Sequence, residues 1–295
     1  MSSDAVPEIL RRAAHHGLDL DPGSVRVIEM GLDFRVAMVR DLDDRAWVLR
    51  LPRRASVMDR ALVEEQLLRM VGPHLSAAVP DWRICAPDLI AYPLLPGSPG
   101  LELGEDGTPQ WRVDVCDPGY VGSLARFLGE LHTIPVDAIA SSGIPVRDPE
   151  EVRASWARDI EVVSEQFSVQ DTLLASWRSW LQEDALWPEH SVPCHGEIYP
   201  GHTLVEGSRI VGVIDWTTAN VGDPTQDLMF HHATASPEAF EQTLVQYRER
   251  GGRTWPGLEQ HCSAMFSAAP VRYGIYALET GEPEHLEAAA AQLRG

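Results

Sequence analysis

The sequence predicts an α+β fold in two lobes: a small β-rich lobe over residues 1–95 and a larger helical lobe over 96–295. β-branched and apolar residues cluster in short runs through the first part of the chain, and from about residue 119 apolar residues recur at helical spacing instead. Between the two patterns lies Pro93-Leu94-Leu95-Pro96-Gly97, a stretch that breaks both helix and strand. At 295 residues the chain is large for one core, so one big or two modest domains are expected.

Residues 5–17 read as a short helix ended by Gly17. Val25–Met30, Phe34–Arg40 and Ala46–Leu51 read as strands, and the polar turn Asp41–Asp44 joins the last two as a hairpin. Leu62, Leu67, Met70 and Val71 mark a helix over 59–71, stopped by Gly72-Pro73, before a further strand at Leu89–Tyr92. In the second lobe, Val121, Leu124, Ala125, Leu128 and Leu131 place a helix at 119–134, closed by Pro135. Helices follow at 149–166 and at 171–187, where Leu173, Leu174, Trp177, Trp180 and Leu181 form an apolar stripe read as core. Residues 237–250, 257–280 and 283–294 complete the helical set.

Composition narrows the chemistry. Lys+Arg number 24 against 44 Asp+Glu, a formal charge of −20, and every one of those cations is arginine. Without lysine there is no P-loop lysine, no pyridoxal Schiff base and no lysine general base. The acidic balance argues against nucleic acid and anionic membrane as partners. No apolar run reaches the ~18 residues that span a bilayer, and the opening residues lack a signal-peptide pattern. Cys85, Cys116, Cys194 and Cys262 are widely spaced and read as free thiols of a cytoplasmic protein.

One island interrupts the helices: Cys194-His195-Gly196-Glu197-Ile198-Tyr199-Pro200-Gly201-His202, then two short apolar runs about a Glu206-Gly207-Ser208 turn, then Asp215-Trp216. Pairing 203–206 with 209–214 places His202 opposite Val213 and brings Asp215 within roughly 7 Å of it. Glu197 enters at the same open end. A loop carboxylate that accepts a hydroxyl proton, beside an Asp and a second ligand that hold Mg²⁺ against phosphates, is the apparatus of phosphoryl transfer. A zinc site of His195, His202 and Glu197 is the competing reading, and no HExxH helix accompanies it.

The segments His195-Gly196-Glu197-x4-His202 and Gly212-Val213-Ile214-Asp215-Trp216 resemble the catalytic core of the aminoglycoside phosphotransferase-like kinases, and in detail that of the macrolide 2′-phosphotransferases. Gly31-Leu32-Asp33-Phe34, Trp47–Arg54, Val79-Pro80-Asp81-Trp82-Arg83, Ala91-Tyr92-Pro93, Leu131-His132-x-Ile134-Pro135, Gly222-Asp223-Pro224-x2-Asp227 and Tyr273–Gly281 extend the likeness over nearly the whole chain. The resemblance implies a two-lobed protein-kinase-like fold. It implies Asp215 and His202 as metal ligands, Glu197 and His195 in the catalytic loop, and Asp227 as a buried support for that loop. The loop at 28–35 with Gly31 would cover the nucleotide phosphates, and Arg50 would stand where protein kinases carry a phosphate-binding lysine, its guanidinium bridging phosphate oxygens. Glu64 would pair with Arg50, with Glu65 as runner-up. Tyr92 would flank the nucleobase, Leu94 and its neighbours would offer backbone hydrogen bonds to it, and Ile214 would lie beneath it. As in the GTP-using relatives that the chain resembles, the aromatic at position 92 would favour guanine over adenine.

The implied activity is a monomeric kinase that moves the γ-phosphate of GTP, with Mg²⁺, to the 2′-hydroxyl of a macrolide amino sugar. Trp216, Tyr273, Tyr276 and Glu279 are candidates to receive the drug. The chain departs from the family at one point: the family places Asp after His-Gly, and Glu197 reaches further by one methylene, about 1.5 Å. A small-molecule kinase for an aminoglycoside or metabolite, and a binding protein without turnover, are therefore the alternatives.

Overall fold

Along the N-terminal strands, successive side chains are drawn to opposite faces, and that alternation builds two layers. The computed structural model describes residues 5–28, 33–55, 57–104 and 107–295. Helix α1 (Ala5–His15) precedes strands β1 (Arg26–Ile28), β2 (Phe34–Arg40) and β3 (Ala46–Pro52); helix α2 (Val57–Val71) leads on to β4 (Ile84–Ala86) and β5 (Leu89–Pro93). These strands form one antiparallel sheet in the order β1-β2-β3-β5-β4. Ala37, Val39, Leu49, Leu51, Leu89 and Ala91 face α1, whose Ala5, Ile9 and Ala13 bury against them. The other face carries Phe34, Val48, Ile90 and Tyr92 into the main core, together with Val57, Ala61, Leu68 and Val71 of α2. Arg50 belongs to this second face, because it pairs with Val36 and Ile90.

Beyond Pro96 come β6 (Ser98–Pro99), β7 (Leu101–Leu103), β8 (Pro109–Trp111), α3 (Pro118–His132), the short α4 (Val136–Ile139), α5 (Pro149–Gln166) and α6 (Asp171–Gln182). Strands β9 (Val192–Cys194), β10 (Thr203–Glu206), β11 (Arg209–Val213) and β12 (Asn220–Gly222) follow, then α7 (Met229–Thr234), α8 (Pro237–Glu249), α9 (Leu258–Ser267), α10 (Ala269–Thr280) and α11 (Pro283–Arg294). Several helices start at an encoded cap. Asp117 accepts the Gly119 N–H ahead of α3, Asp148 and Glu151 cap α5 reciprocally, and Ser236 accepts the Ala239 N–H in α8. Leu124, Leu128 and Leu131 of α3 enter the same core as the inner face of the sheet. The tryptophan stripe is core as expected: Trp156, Trp177, Trp180 and Trp187 cluster with Met265, Val271 and Leu293.

The structure corrects some of the expected boundaries. The helix expected over 257–280 divides at Ala268 into α9 and α10, because Pro270 has no N–H to continue the ladder. The helix expected to reach 187 stops at Gln182, and a separate tight turn covers Asp184–Leu186. The β10/β11 hairpin forms about the expected turn with a different register: Thr203, not His202, lies opposite Val213. Val205 pairs with Ile210 but Leu204 pairs with Gly212, so Val211 is an extra residue, and its carbonyl accepts the Ala78 N–H at 2.8 Å. The bulge moves the open end by one position, and the Ile214 N–H donates to the His202 carbonyl at 3.0 Å. Met30 and Gly31 lie outside the described residues. No helix among the described residues is long and apolar enough to cross a membrane.

Candidate active site

A single buried carboxylate holds the 195–202 loop from beneath. Asp227, with no exposed surface, accepts the His195 N–H at 2.8 Å and the Gly196 N–H at 2.7 Å, one on each oxygen. His132 Nε2 lies 3.2 Å from the same carboxylate, and its Nδ1 meets the Tyr247 hydroxyl at 2.8 Å. Gly196 adopts φ +91°, and a Cβ there would stand 2.4 Å from the Thr218 carbonyl oxygen, so only glycine fits. The turn sends the side chains on either side of it in opposite directions: His195 inward, Glu197 outward.

His195 is therefore not a catalytic residue, contrary to expectation. It is fully buried, its Nε2 donates to the Ile214 carbonyl at 3.0 Å, and its Nδ1 accepts the Glu197 N–H at 3.3 Å. Burial drives its pKa down to about 4, so the ring is neutral. With both nitrogens committed it reaches no substrate and cannot ligate zinc, which removes the competing zinc reading. Its place is behind the site, where it ties the loop to the strand end that carries Asp215.

Glu197, His202 and Asp215 meet at the open end of the hairpin. His202 Nδ1 donates to the Glu197 carbonyl at 3.0 Å, which leaves the Nε2 lone pair facing Asp215 Oδ2 at 3.6 Å. Asp215 adopts φ 62°, a left-handed conformation that Asp44 alone shares among the described non-glycine residues. Such a position costs about 1–3 kcal/mol and persists only where its surroundings over-determine it. Burial would raise the Asp215 pKa, but His202, the Thr217 hydroxyl at 2.6 Å and Arg50 together bring it below the usual value. The Glu197 side chain is exposed at the mouth of the cleft. Partial burial raises its pKa, His202 opposes this, the like charge of Asp215 adds to it, and the net shift is upward.

The sheet contributes the other half of the site. Arg50 Nη1 donates to both Glu64 oxygens, at 3.0 and 3.2 Å, with side-chain exposures of 12% and 3%. Burial pushes the Glu64 carboxyl up; Arg50 and the Trp216 backbone N–H pull it back in part. That amide directly follows Asp215, so Glu64 links β3 to the strand end that carries Asp215. Glu65, the runner-up, pairs with Arg69 one turn along the same helix instead. Tyr92 is buried beside these groups, and burial takes its hydroxyl to about 12.

Residues 24–261 match the phosphotransferase enzyme family. The chain belongs to this family. Its structure aligns with that of the macrolide 2′-phosphotransferase MphH from Brachybacterium faecium, an apoenzyme, at 54% identity and TM-score 0.93, over 98% of this chain and 97% of that one. A macrolide 2′-phosphotransferase type I aligns at 37% identity and TM-score 0.94, over 100% and 98% of the two chains. The uncharacterized protein YcbJ of Bacillus subtilis (strain 168) is 36% identical over 293 residues, 98% of this chain and 95% of that protein. The kinase-like two-lobed fold and the phosphotransferase class expected from sequence both stand.

Within this phosphotransferase the donor set suits a divalent cation that keeps most of its coordination for water and phosphate. Magnesium takes one or two protein carboxylates plus substrate oxygens. Asp215, its pKa held low, would supply an oxygen to such an ion, and His202, with Nδ1 turned to the Glu197 carbonyl, would offer its Nε2 beside it. The cluster of His132, Cys194 and Asp227 is no second metal site. Both nitrogens of His132 and both oxygens of Asp227 are bonded, and burial keeps the Cys194 thiol protonated.

One nucleotide-side expectation needs amendment. The Leu94 N–H donates to the Ala46 carbonyl at 2.9 Å, continuing the β3 ladder, so it is not free for a base. Ile214 is half-buried against the core and gives its carbonyl to His195. On the acceptor side, Trp216 is 2% exposed and packs on His195 at 4.8 Å, so it touches no substrate. Sequence reasoning missed a row of aromatics: Tyr199 stands 4.4 Å from the His202 ring, Phe230 is 5.4 Å from Tyr199, and Phe266, 39% exposed, is 6.3 Å from Phe230. Only the Tyr199-Pro200-Gly201 turn signalled it, since Phe230 and Phe266 arrive from distant helices.

Proposed function

We propose that this phosphotransferase transfers the γ-phosphate of GTP to the 2′-hydroxyl of a macrolide amino sugar, and that it thereby confers macrolide resistance. One observation carries the reading: whole-chain likeness to a macrolide 2′-phosphotransferase at 54% identity, with Glu197, His202 and Asp215 at one cleft opposite Arg50.

Transfer of a phosphoryl group depends mainly on alignment and on neutralising phosphate charge. Magnesium, held by Asp215 and His202, would supply that neutralisation. Arg50 binds phosphate oxygens through the guanidinium edge that Glu64 leaves unused. Glu197 accepts the hydrogen bond of the sugar hydroxyl and orients its oxygen for in-line attack, taking the proton as the new bond forms. The upward pKa shift of Glu197, caused first by burial, makes its carboxylate a better proton acceptor. Tyr199, Phe230 and Phe266 offer an apolar wall for the macrolide ring. The net charge of −20 suits a drug whose dimethylamino group is cationic. Buried Tyr92 crowds the position adenine would need and favours guanine.

The deciding experiment incubates the chain with GTP or ATP, Mg²⁺ and a panel of macrolides and aminoglycosides, followed by mass spectrometry. Gain of one phosphoryl group on erythromycin, faster with GTP, is the expected result. Phosphorylation of an aminoglycoside alone would overturn the macrolide reading. Thermal stabilisation by macrolide and nucleotide with no product would make the chain a binding protein.

A further inference from the structure

Two aromatic residues flank Arg50, and neither has a role in the reaction as described so far. The Arg50 Cζ lies 4.2 Å from the Phe34 ring centroid and 5.5 Å from that of Trp82. Both rings are buried, at 5% and 6% exposure. They come from opposite sides of β3 in the sheet. Phe34 opens β2, where it pairs with Pro52 and so sits diagonally from Arg50 on the same face. Trp82 precedes β4 at the far edge, beyond β5, whose Ile90 pairs with Arg50.

We infer that Phe34 and Trp82 are positioning residues that let an arginine serve as the phosphate-binding cation of this kinase, an inference resting on the assignment of Arg50 to phosphate. The ammonium of a lysine is a point charge whose donors rotate to suit a phosphate. A guanidinium is planar, presents its N–H groups along its edges, and is useful only at the correct angle. Glu64 fixes one corner, Nη1, but a contact at one corner leaves the plane free to rotate about it. Aromatic rings packed against the guanidinium stop that rotation, and each adds a cation–π attraction that strengthens where water is excluded. The choice of tryptophan supports this. Trp82 Nε1 is buried with no hydrogen-bond partner among the described residues. An unpaired buried donor is costly, and phenylalanine would avoid that cost. The indole is therefore not held in place for its N–H, and tryptophan is the aromatic with the strongest attraction for a cation.

The test is a cycle on the full chain, titrating Mg·GDP, with Mg·ADP in parallel, by calorimetry. Trp82→Leu and Phe34→Leu are each made in the native background and in a background where Arg50→Met and Glu64→Leu replace the buried ion pair with apolar side chains of similar bulk. In the native background each leucine variant should weaken nucleotide binding about fivefold to tenfold, and Trp82→Phe, which keeps a ring of weaker attraction, should weaken it about twofold to threefold. The same changes in the apolar background should alter binding less than about twofold, because no guanidinium remains to be held. Macrolide KM should not move in any single variant. Equal losses in both backgrounds, or no loss in the native one, would overturn the positioning role and assign the rings to packing. If the apolar background itself binds nucleotide as tightly as the native chain, Arg50 does not hold phosphate, and the assignment beneath the inference falls instead.

Discussion

Asp215 occupies a left-handed backbone position that most side chains avoid, at the point where the chemistry needs a carboxylate. Asp215→Gly should abolish transfer yet leave the melting temperature equal to or above that of the native chain, because glycine relieves the conformation at little cost. Thermal melts beside activity assays check this, and a markedly destabilised glycine variant would contradict it. Glu197→Gln should lower kcat by about a hundredfold, with the melt unchanged. The Glu197 pKa is raised above the ordinary 4.5, and the base acts only when ionised, so the acid limb of kcat/KM should lie above that of an ordinary glutamate and should change in the Gln variant. Equal rates in the native and Gln forms would remove Glu197 from the mechanism. The convergence of Glu197, His202 and Asp215 was legible in the sequence because all three flank one local hairpin, where spacing along the chain stands in for distance. His195 was misread because nothing local distinguishes a histidine that caps a carbonyl inside the core from one that faces a ligand.

At the scale of the elements, helix α2 shows what closer attention to the pattern could have yielded. Val57, Ala61, Leu67, Leu68 and Val71 are its buried residues facing the main core, and Glu64, at i+3 from Ala61 and i−4 from Leu68, is the buried glutamate of that stripe. A glutamate in an apolar stripe needs a buried cation, which selects Glu64 without recourse to the family likeness. Glu64→Ala should destabilise the fold by about 3–5 kcal/mol by stranding Arg50, and the apolar pair at 50 and 64 should recover most of that loss without recovering turnover. Urea denaturation of the two forms provides the comparison. The hairpin was legible as an element but not in its register, because the bulge at Val211 is set by Ala78, far away in sequence. The short strands β6, β9 and β12 escaped notice for the same reason: two or three residues carry no periodicity, and distant partners create them.

For the whole molecule, the two-lobed plan was legible because the change from strand-like to helix-like patterning is a property of long stretches. Acid stability is a property of the same scale. His195 and His231 are buried, and burial lowers each to about 4 from an ordinary 6.5. Unfolding lets both take protons, so the stability they permit is present above pH 6.5 and is lost as pH falls towards 4. Each histidine should contribute a slope of about 1.4 kcal/mol per pH unit across that window. Denaturant midpoints measured from pH 7 to 4 should decline accordingly, and His231→Leu should flatten the decline by about one proton.

The left-handed residue at the strand end separates the fate of the activity from the fate of the scaffold. Aspartate becomes glycine or asparagine by a single base change, and both tolerate that backbone shape. A lineage that drops phosphate transfer can thus keep an intact, soluble body at no folding penalty. In a relative of this chain, glycine or asparagine at position 215 would mark a retired enzyme rather than a broken protein.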